Sequence, residues 1–302
     1  MKKTYTKTRL QMGTIVTIKV VTSLNQPVAE QKINQAFQAI SAVETTCSRF
    51  NEQSELSKLS STVNEAVHTS DLLFEAVRFS LEVAKLTTGL FDPTIGHTLE
   101  TYGFNTNYLT GETVSTHNSP SNISYLDVLL DEQNRTILLT KPLTLDLGAI
   151  AKGLAVDLAA KELSEFEGYY IDAGGDLFIG GTNELDEPWT IGIQDPFHKD
   201  KTICSLQLSN AAICTSGSYE RLSHVRPNTH HLIDPHTGDS PHDIVSCTVV
   251  APFTMLADAF STVAFLQGSQ GTKLLEDVNL DGMWITSTKE MILTKGMKEH
   301  IL

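Results

Sequence analysis

The sequence predicts an α+β protein with largely antiparallel sheet. Helical periodicity dominates the first half of the chain, whereas the second half, from Gly168 onward, consists mostly of short strand-like segments separated by turns. No Gly-x-Gly-x-x-Gly pattern follows a predicted strand, which argues against a doubly wound nucleotide-binding fold. A chain of 302 residues that is 40% hydrophobic can bury a large core. We therefore expect a single domain over 1–302, or two subdomains packed closely together.

Composition narrows the possible partners and the location. The net charge of −14 argues against a nucleic acid, because phosphate binding relies on clustered Lys and Arg. The four cysteines form no Cys-x-x-Cys pair, so neither a zinc site nor a disulfide framework is indicated. The first twenty residues contain no apolar segment of seven or more residues and no lipobox cysteine. These features predict a cytoplasmic protein with no membrane span.

The first half of the chain contains one predicted strand followed by helices. Residues 9–22 alternate between apolar and polar side chains and predict a strand that begins at Met12 and Gly13. Helical stripes or helix-start signals occur in three later segments, residues 27–45, 54–59 and 70–86. Residues 103–123 are rich in Asn, Thr, Ser and Gly and predict a surface loop.

Two glycine-containing segments follow in the second half. Gly148 shortly before a predicted helix, together with Lys152, favours a phosphate there, because unpaired helix N–H groups and a positive charge both attract anions. A lone lysine on a helix is more often simply solvated. Gly174 and Gly175 interrupt a strand-like run and predict either a β-bulge or a close approach by another group.

The segment from His230 to Thr262 combines a turn with two possible metal ligands. The run from Asp234 to Gly238, Asp-Pro-His-Thr-Gly, predicts a rigid turn. An apolar stripe then predicts a helix that places Asp258 and Thr262 one turn apart on one face. Their hard oxygens suit Mg²⁺ better than zinc or copper. The spacing alone, however, favours an ordinary helix cap or a solvent contact.

Collinear motifs along the chain resemble those of the ApbE family, the FAD:protein FMN transferases. The strongest are His-x-x-Asp-Pro-x-Thr-Gly from His231 and Ala-Asp-Ala-x-Ser-Thr ending at Thr262. Six upstream segments also resemble family motifs in the family's order: Met12-Gly-Thr14, Ser54-Glu-Leu-Ser-Lys-Leu59, Phe91-Asp-Pro-Thr-Ile-Gly96, Leu145-Asp-Leu-Gly-Ala-Ile-Ala-Lys-Gly153, Asp172-Ala-Gly-Gly-Asp176 and Thr215-Ser-Gly-Ser-Tyr-Glu220. Together they are far more specific than any one motif.

The resemblance implies a fold and an activity. The fold would be the ApbE-like, T-fold-related architecture, with antiparallel sheets flanked by helices. The activity would be a Mg²⁺-dependent transfer of FMN from FAD to a Thr or Ser hydroxyl of an acceptor flavoprotein, through a phosphoester bond and with release of AMP. The acceptor would carry a segment similar to Asp-x-x-[Ser/Thr]-Gly-Ala-[Ser/Thr].

The resemblance also assigns roles to individual residues. Asp258, Thr262 and the carbonyl of Ala149 would hold Mg²⁺, and His231 would be the general base. His231 is preferred to His230 because it precedes Asp234 by three residues, as the motif requires. FAD would contact Met12, Phe50, Leu90, Phe91, Asp92, Asp146, Lys152, Gly174, Gly175 and Leu232. Phe50 stands where relatives often have tyrosine, but its ring could still stack.

Two other functions use the same residues. In a Mg²⁺-dependent FAD pyrophosphatase, water would replace the acceptor hydroxyl and release FMN and AMP. A non-catalytic FAD-binding protein would need a pocket but no base and no metal ligands, and the presence of Asp258, Thr262 and His231 argues against it.

Overall fold

The computed structural model describes residues 2–107, 110–114 and 122–302. Part of the loop predicted over 103–123 lies outside these ranges. Within them the chain forms eight α-helices and thirteen strands, and each pair of neighbouring strands is antiparallel. The predicted α+β class with antiparallel sheet is therefore confirmed.

The helices and strands are numbered in chain order. The helices are α1 (Gln26–Cys47), α2 (Glu55–Ser60), α3 (Asp71–Leu86), α4 (Gly96–Thr101), α5 (Ala151–Leu163), α6 (Thr254–Gln267), α7 (Gly271–Asp277) and α8 (Met297–His300). The strands are β1 (Lys3–Gln11), β2 (Thr14–Thr22), β3 (Ala66–His68), β4 (Val128–Asp131), β5 (Thr136–Leu139), β6 (Gly168–Ala173), β7 (Leu177–Gly181), β8 (Trp189–Asp195), β9 (His198–Leu208), β10 (Ala211–Gly217), β11 (Ile244–Ala251), β12 (Asp281–Thr286) and β13 (Met291–Leu293). The helices predicted over 27–45, 54–59 and 70–86 are thus confirmed as α1, α2 and α3. No helix in the described ranges is long and apolar enough to cross a bilayer.

The chain divides into two compact units. The first comprises Met1–Ala42, Lys152–Tyr219 and His242–Leu302, and the second comprises Val43–Ala151 and Glu220–Pro241. The second unit contains α2, α3, α4 and a small sheet in the order β3-β5-β4. That the two units make up one domain stays a prediction.

A large sheet forms the centre of the first unit. Its eight described strands lie in the order β1-β2-β6-β7-β10-β11-β12-β13. Because successive side chains point to opposite faces of a sheet, the paired residues Ile213 and Val250 face the apolar cluster formed with the β8–β9 hairpin. The next pair, Cys214 and Val249, belongs to the opposite face, where α6 packs on β10 and β11. Both faces of β10 and β11 are therefore buried.

The N-terminal strand prediction was wrong in its extent. The structure has a hairpin, β1 and β2, and Met12 and Gly13 form its turn instead of beginning a strand. Both turn residues have positive φ, 53° and 70°. A two-residue hairpin turn needs these angles if its twist is to match the right-handed twist of the two strands. The sequence pattern did not predict β1, because this strand has no buried face and is held by its pairing with β2.

Of the two alternatives predicted for the glycine pair, the close approach by another group is confirmed, whereas the bulge is not, because the pair forms a turn. Gly174 and Gly175 join β6 to β7, with φ of 68° and 96°. A Cβ atom on Gly174 would lie 2.3 Å from Thr14 Oγ1. Glycine is therefore required there both for the backbone conformation and for the close approach of the β1–β2 turn.

Trp284 fixes α6 to the sheet. Its side chain, on β12, is fully buried, and its indole N–H donates a 2.9 Å hydrogen bond to the carbonyl of Ala264 in α6.

We expect Trp284→Phe to lower the free energy of unfolding by about 1–3 kcal/mol, because the ring stays apolar while a buried carbonyl loses its donor. Urea denaturation measures this, with exposed Leu126→Ala as a control expected to change it by less than about 0.5 kcal/mol. A loss for Trp284→Phe no larger than the control's would contradict this role.

Candidate active site

Asp258 and Thr262 lie one turn apart on α6, as the sequence predicts. Asp258 is buried, and its Oδ2 accepts a 3.1 Å hydrogen bond from the backbone N–H of Gly153. Thr262 Oγ1 lies 3.2 Å from Ser216 Oγ on β10, which in turn lies 2.8 Å from Ser261 Oγ. Asp258 is therefore held by the first turn of α5, and Thr262 belongs to a small network of hydroxyl groups.

The helices α5 and α6 approach each other closely at Gly153. A Cβ atom on Gly153 would lie 2.5 Å from the carbonyl oxygen of Thr254 and 2.6 Å from Met255 Cα, so no other residue fits without movement. Asp157, one turn further along α5, accepts hydrogen bonds from the N–H groups of Thr254 and Met255 at 2.6 and 2.8 Å. Burial raises the pKa of the Asp157 carboxyl, although these two hydrogen bonds oppose the shift.

Sequence reasoning missed Asp157, but a signal was present. Phe253, directly before α6, has no polar side chain, and the described first turn of α6 contains no acidic residue. The unpaired N–H groups of a buried helix start need an acceptor from elsewhere.

Lys152 forms an ion pair with Asp176, whose side chain is only 3% exposed. Lys152 is therefore not simply a solvated helix lysine, because its ammonium group neutralises a buried carboxylate. Its predicted contact with phosphate stays a prediction. Asp176 is the last residue of the motif that begins at Asp172, but the sequence alone assigned it no role.

The β6–β7 turn is held by Asp172. Its Oδ1 accepts a 2.9 Å hydrogen bond from the N–H of Gly175. Burial raises the pKa of the Asp172 carboxyl, opposed by hydrogen bonds from both glycines and by the charge of Lys152. Because Gly174 touches Thr14, the structure brings the Gly174–Gly175 turn next to the turn that carries Met12. These three predicted flavin contacts are thus neighbours.

In the second unit, the two adjacent histidines have different environments. The ring of His230 is 1% exposed, and its Nε2–H donates a 2.8 Å hydrogen bond to the carbonyl of Pro241. The ring of His231 is only partly buried and lies edge-on to the Phe104 ring, with a centroid distance of 6.4 Å. These environments favour His231 as the histidine that acts on a substrate.

The predicted Asp-Pro-His-Thr-Gly turn is present just after buried Leu232. The N–H of Gly238, whose φ is 72°, donates a 2.8 Å hydrogen bond to the carbonyl of Asp234. The Asp234 side chain accepts the N–H of His236 at 2.8 Å, and the Tyr102 hydroxyl donates to the carbonyl of Gly238 at 2.8 Å. The turn is therefore rigid, and it fixes the backbone three residues after His231.

Arg49, which the sequence analysis missed, organises several predicted site residues. Its guanidinium is 6% exposed, forms ion pairs with Asp146 and Glu100, and lies 4.2 Å from the centroid of the Phe50 ring. It also donates to the carbonyl of Phe104, the residue whose ring contacts His231. Its only sequence signal was its position directly before Phe50.

Asp146 and Asp92 are both engaged with the protein. Besides Arg49, Asp146 accepts the N–H of Gly148 at 2.7 Å. Asp92 accepts the hydroxyl and N–H of Thr94 at 2.6 and 2.8 Å and the N–H of Tyr125 at 3.0 Å, while burial raises its pKa. Both carboxylates therefore stabilise the loops in which they lie, because each accepts hydrogen bonds from backbone N–H groups.

The remaining predicted site residues of this unit lie near these loops. Phe91 is buried, Leu90 is half-buried, and Ala149 lies two residues before the start of α5. That these residues, with Asp92 and Asp146, contact FAD or a metal ion stays a prediction.

The donor set on α6 suits a hard cation. The described residues contain no group of three or more His, Cys, Asp or Glu side chains that could hold a metal ion. A set made of one carboxylate, one hydroxyl and one backbone carbonyl would not contain such a group, yet its oxygens are those that Mg²⁺ prefers. The buried carboxylate of Asp258 and the Thr262 hydroxyl therefore suit Mg²⁺ by the chemistry of their oxygens. That the Ala149 carbonyl is a third ligand stays a prediction.

A model of the ApbE family matches residues 12–284. The chain belongs to the ApbE family. Proteins named FAD:protein FMN transferase from Haemophilus influenzae and Vibrio cholerae are 27% and 28% identical to it, over 94% and 96% of this chain and 87% and 88% of their own. An ApbE protein of known structure from Thermotoga maritima is 26% identical, with a TM-score of 0.87 over 99% of both chains. The flavin transferase ApbE from Vibrio cholerae, 23% identical over 99% of this chain and 100% of its own, shares the fold with a TM-score of 0.83.

The two histidines should differ in their effect on stability. We expect His230→Ala to lower the free energy of unfolding by about 1–3 kcal/mol, because it removes a buried side chain and its hydrogen bond to the Pro241 carbonyl. His231→Ala should cost less than half as much, because the His231 ring is partly exposed. Chemical denaturation of the two variants tests this, and a larger loss for His231→Ala would mean that His231 is the structural member of the pair.

The Lys152–Asp176 pair allows a double-mutant cycle. Lys152→Ala should lower the free energy of unfolding by up to about 3 kcal/mol, because it leaves the buried Asp176 carboxylate without its cation. The 25% exposure of the Lys152 side chain keeps this loss below that of a fully buried pair. Adding Asp176→Asn should restore much of the stability. Urea denaturation of the single and double variants gives the interaction free energy between Lys152 and Asp176. Additive losses would show that the ion pair does not stabilise the fold.

Proposed function

We propose that this chain transfers FMN from FAD to a Thr or Ser hydroxyl of an acceptor protein and releases AMP. The proposal is supported by the family match and by relatives that are named FAD:protein FMN transferases. The structural observation that carries it is the pair Asp258 and Thr262, held one turn apart on α6 in contact with α5 and β10.

The reaction needs a base and charge stabilisation. The acceptor oxygen attacks the FMN phosphorus, its proton goes to a base, and the bond from that phosphorus to the oxygen of AMP breaks, so that AMP leaves with the electron pair. Negative charge grows on the leaving group. A bound Mg²⁺ would supply a counter-charge to the diphosphate oxygens of FAD.

Within this proposal, the ligands of Mg²⁺ would be Asp258, Thr262 and the Ala149 carbonyl. Asp258 contributes the charge, and the N–H of Gly153 restricts the orientation of its carboxylate. Ser216, within hydrogen-bond distance of the Thr262 hydroxyl, restricts the direction of that second ligand.

His231 would accept the proton of the acceptor hydroxyl. A neutral imidazole suits this role at physiological pH, and a hydroxyl is too weak a nucleophile without a base. The rigid turn from Asp234 to Gly238 and the edge contact with Phe104 limit the movement of the residue.

The remaining predicted contacts would hold FAD. Lys152 and the N–H groups at the start of α5 would attract its phosphates, and the Met12 and Gly174–Gly175 turns and the Phe50 ring would contact the flavin. We propose an acceptor segment similar to Asp-x-x-[Ser/Thr]-Gly-Ala-[Ser/Thr] and a cytoplasmic location.

The proposal is tested with FAD, Mg²⁺ and a flavoprotein that contains this acceptor segment. We expect the wild type to give acceptor protein that carries FMN and stays fluorescent after denaturation, with one AMP released for each FMN bound. Release of free FMN and AMP, with unlabelled acceptor, would instead identify a pyrophosphatase. Unchanged FAD would identify a protein that only binds it.

Variants assign the roles within the reaction. Asp258→Asn should abolish transfer at limiting Mg²⁺, because the charged ligand is lost, and His231→Ala should slow it by about 10²- to 10⁴-fold while FAD still binds. Exposed Asp277→Asn on α7 is the matched carboxylate control and should leave the rate unchanged. A normal transfer rate for Asp258→Asn at limiting Mg²⁺ would show that Asp258 is not a metal ligand. A larger loss of transfer rate for His230→Ala than for His231→Ala would identify His230 as the base.

A further inference from the structure

The start of α6 is capped by a side chain from another helix. The two carboxylate oxygens of Asp157 accept one hydrogen bond each from the N–H groups of Thr254 and Met255, at 2.6 and 2.8 Å. Thr254 is fully buried. The positive end of the α6 dipole thus meets a negative charge that is fixed on α5.

Asp157 and Gly153 lie four residues apart on α5 and therefore share one face of that helix. Gly153 donates its N–H to Asp258, while Asp157 accepts the N–H groups of the turn that precedes Asp258. Two turns of α5 thus hold two successive turns of α6. The absence of a side chain at Gly153 permits this approach, since a Cβ atom would lie 2.5 Å from the Thr254 carbonyl.

We propose that Asp157 is a positioning residue for metal binding: by fixing the first turn of α6 against α5, it sets the position of the Asp258 carboxylate. The inference rests on the proposed function, in which Asp258 is a metal ligand. Without the cap, the first turn of α6 gains freedom, and Asp258, one turn further on, moves with it. Groups that orient a metal ligand typically change metal affinity by about 10- to 100-fold when they are removed.

The test compares Asp157→Asn with Glu162→Gln, the same carboxylate-to-amide change on the same helix. The probe is Mn²⁺ alone, titrated into each folded variant and followed by the loss of the free-ion electron paramagnetic resonance signal. We expect Asp157→Asn to raise the Kd for Mn²⁺ about 10- to 100-fold and Glu162→Gln to leave it within about twofold. The Mg²⁺ concentration for half-maximal FMN transfer should rise by the same factor as the Kd, with little change in the rate at saturating Mg²⁺.

The thermal unfolding of the metal-free variants separates positioning from a purely structural role. A lower melting temperature with an unchanged Kd for Mn²⁺ would overturn the proposal, and so would a wild type that does not bind Mn²⁺. If Asp157→Asn does not fold, Asp157→Ser, which removes the charge and shortens the side chain, is measured in the same way. If Asp157→Asn weakens Mn²⁺ binding but the wild type transfers no FMN, the positioning role stands and the transferase proposal fails.

Discussion

The close approach of α5 and α6 at Gly153 is the contact on which the metal-binding half of the proposed site depends. It is possible because Gly153 has no side chain, and it is held by hydrogen bonds to Asp258 and from the start of α6 to Asp157. On its other side, α6 is fixed by packing on β10 and β11 and by the hydrogen bond from Trp284. A helix held on both sides has little freedom to change the position of its ligands.

Several acidic side chains that are buried or partly buried in the described residues have a particular partner. Asp176 has Lys152, Asp146 and Glu100 share Arg49, and Asp157 and Asp172 accept backbone N–H groups. A buried charge without such a partner is costly. The net charge of −14 therefore does not preclude a well-packed interior, because the acids inside it are compensated locally.

The sequence predicted the longer helices and the motif turn, because both depend on local residues, whereas the short helices α4, α7 and α8 were not predicted. The stripe around Asp258 and the Asp234–Gly238 turn needed only a few neighbouring residues. The strand β1 was not predicted, because an edge strand with no buried face is held only by its pairing with β2. For Gly174, the predicted close approach was correct, but the sequence could not show that its partner is Thr14.

The same limit applies to the site. Motifs pointed to roles for Asp258, Thr262 and His231, whereas the roles of Asp157, Asp176 and Arg49 emerged only from contacts with residues far away in the chain. Sequence spacing cannot show which acid caps a helix or which carboxylate neutralises a lysine. These partners are a consequence of the tertiary fold.

The central claim, that Asp258 and Thr262 hold the cation, is tested most directly by a crystal structure of the protein with FAD and Mn²⁺, in which anomalous scattering locates the ion. The account predicts an anomalous peak at coordination distance, about 2.0–2.2 Å, from Asp258 and Thr262 oxygens and next to the diphosphate of FAD. A peak elsewhere, with FAD bound and no ion beside Asp258, would contradict it.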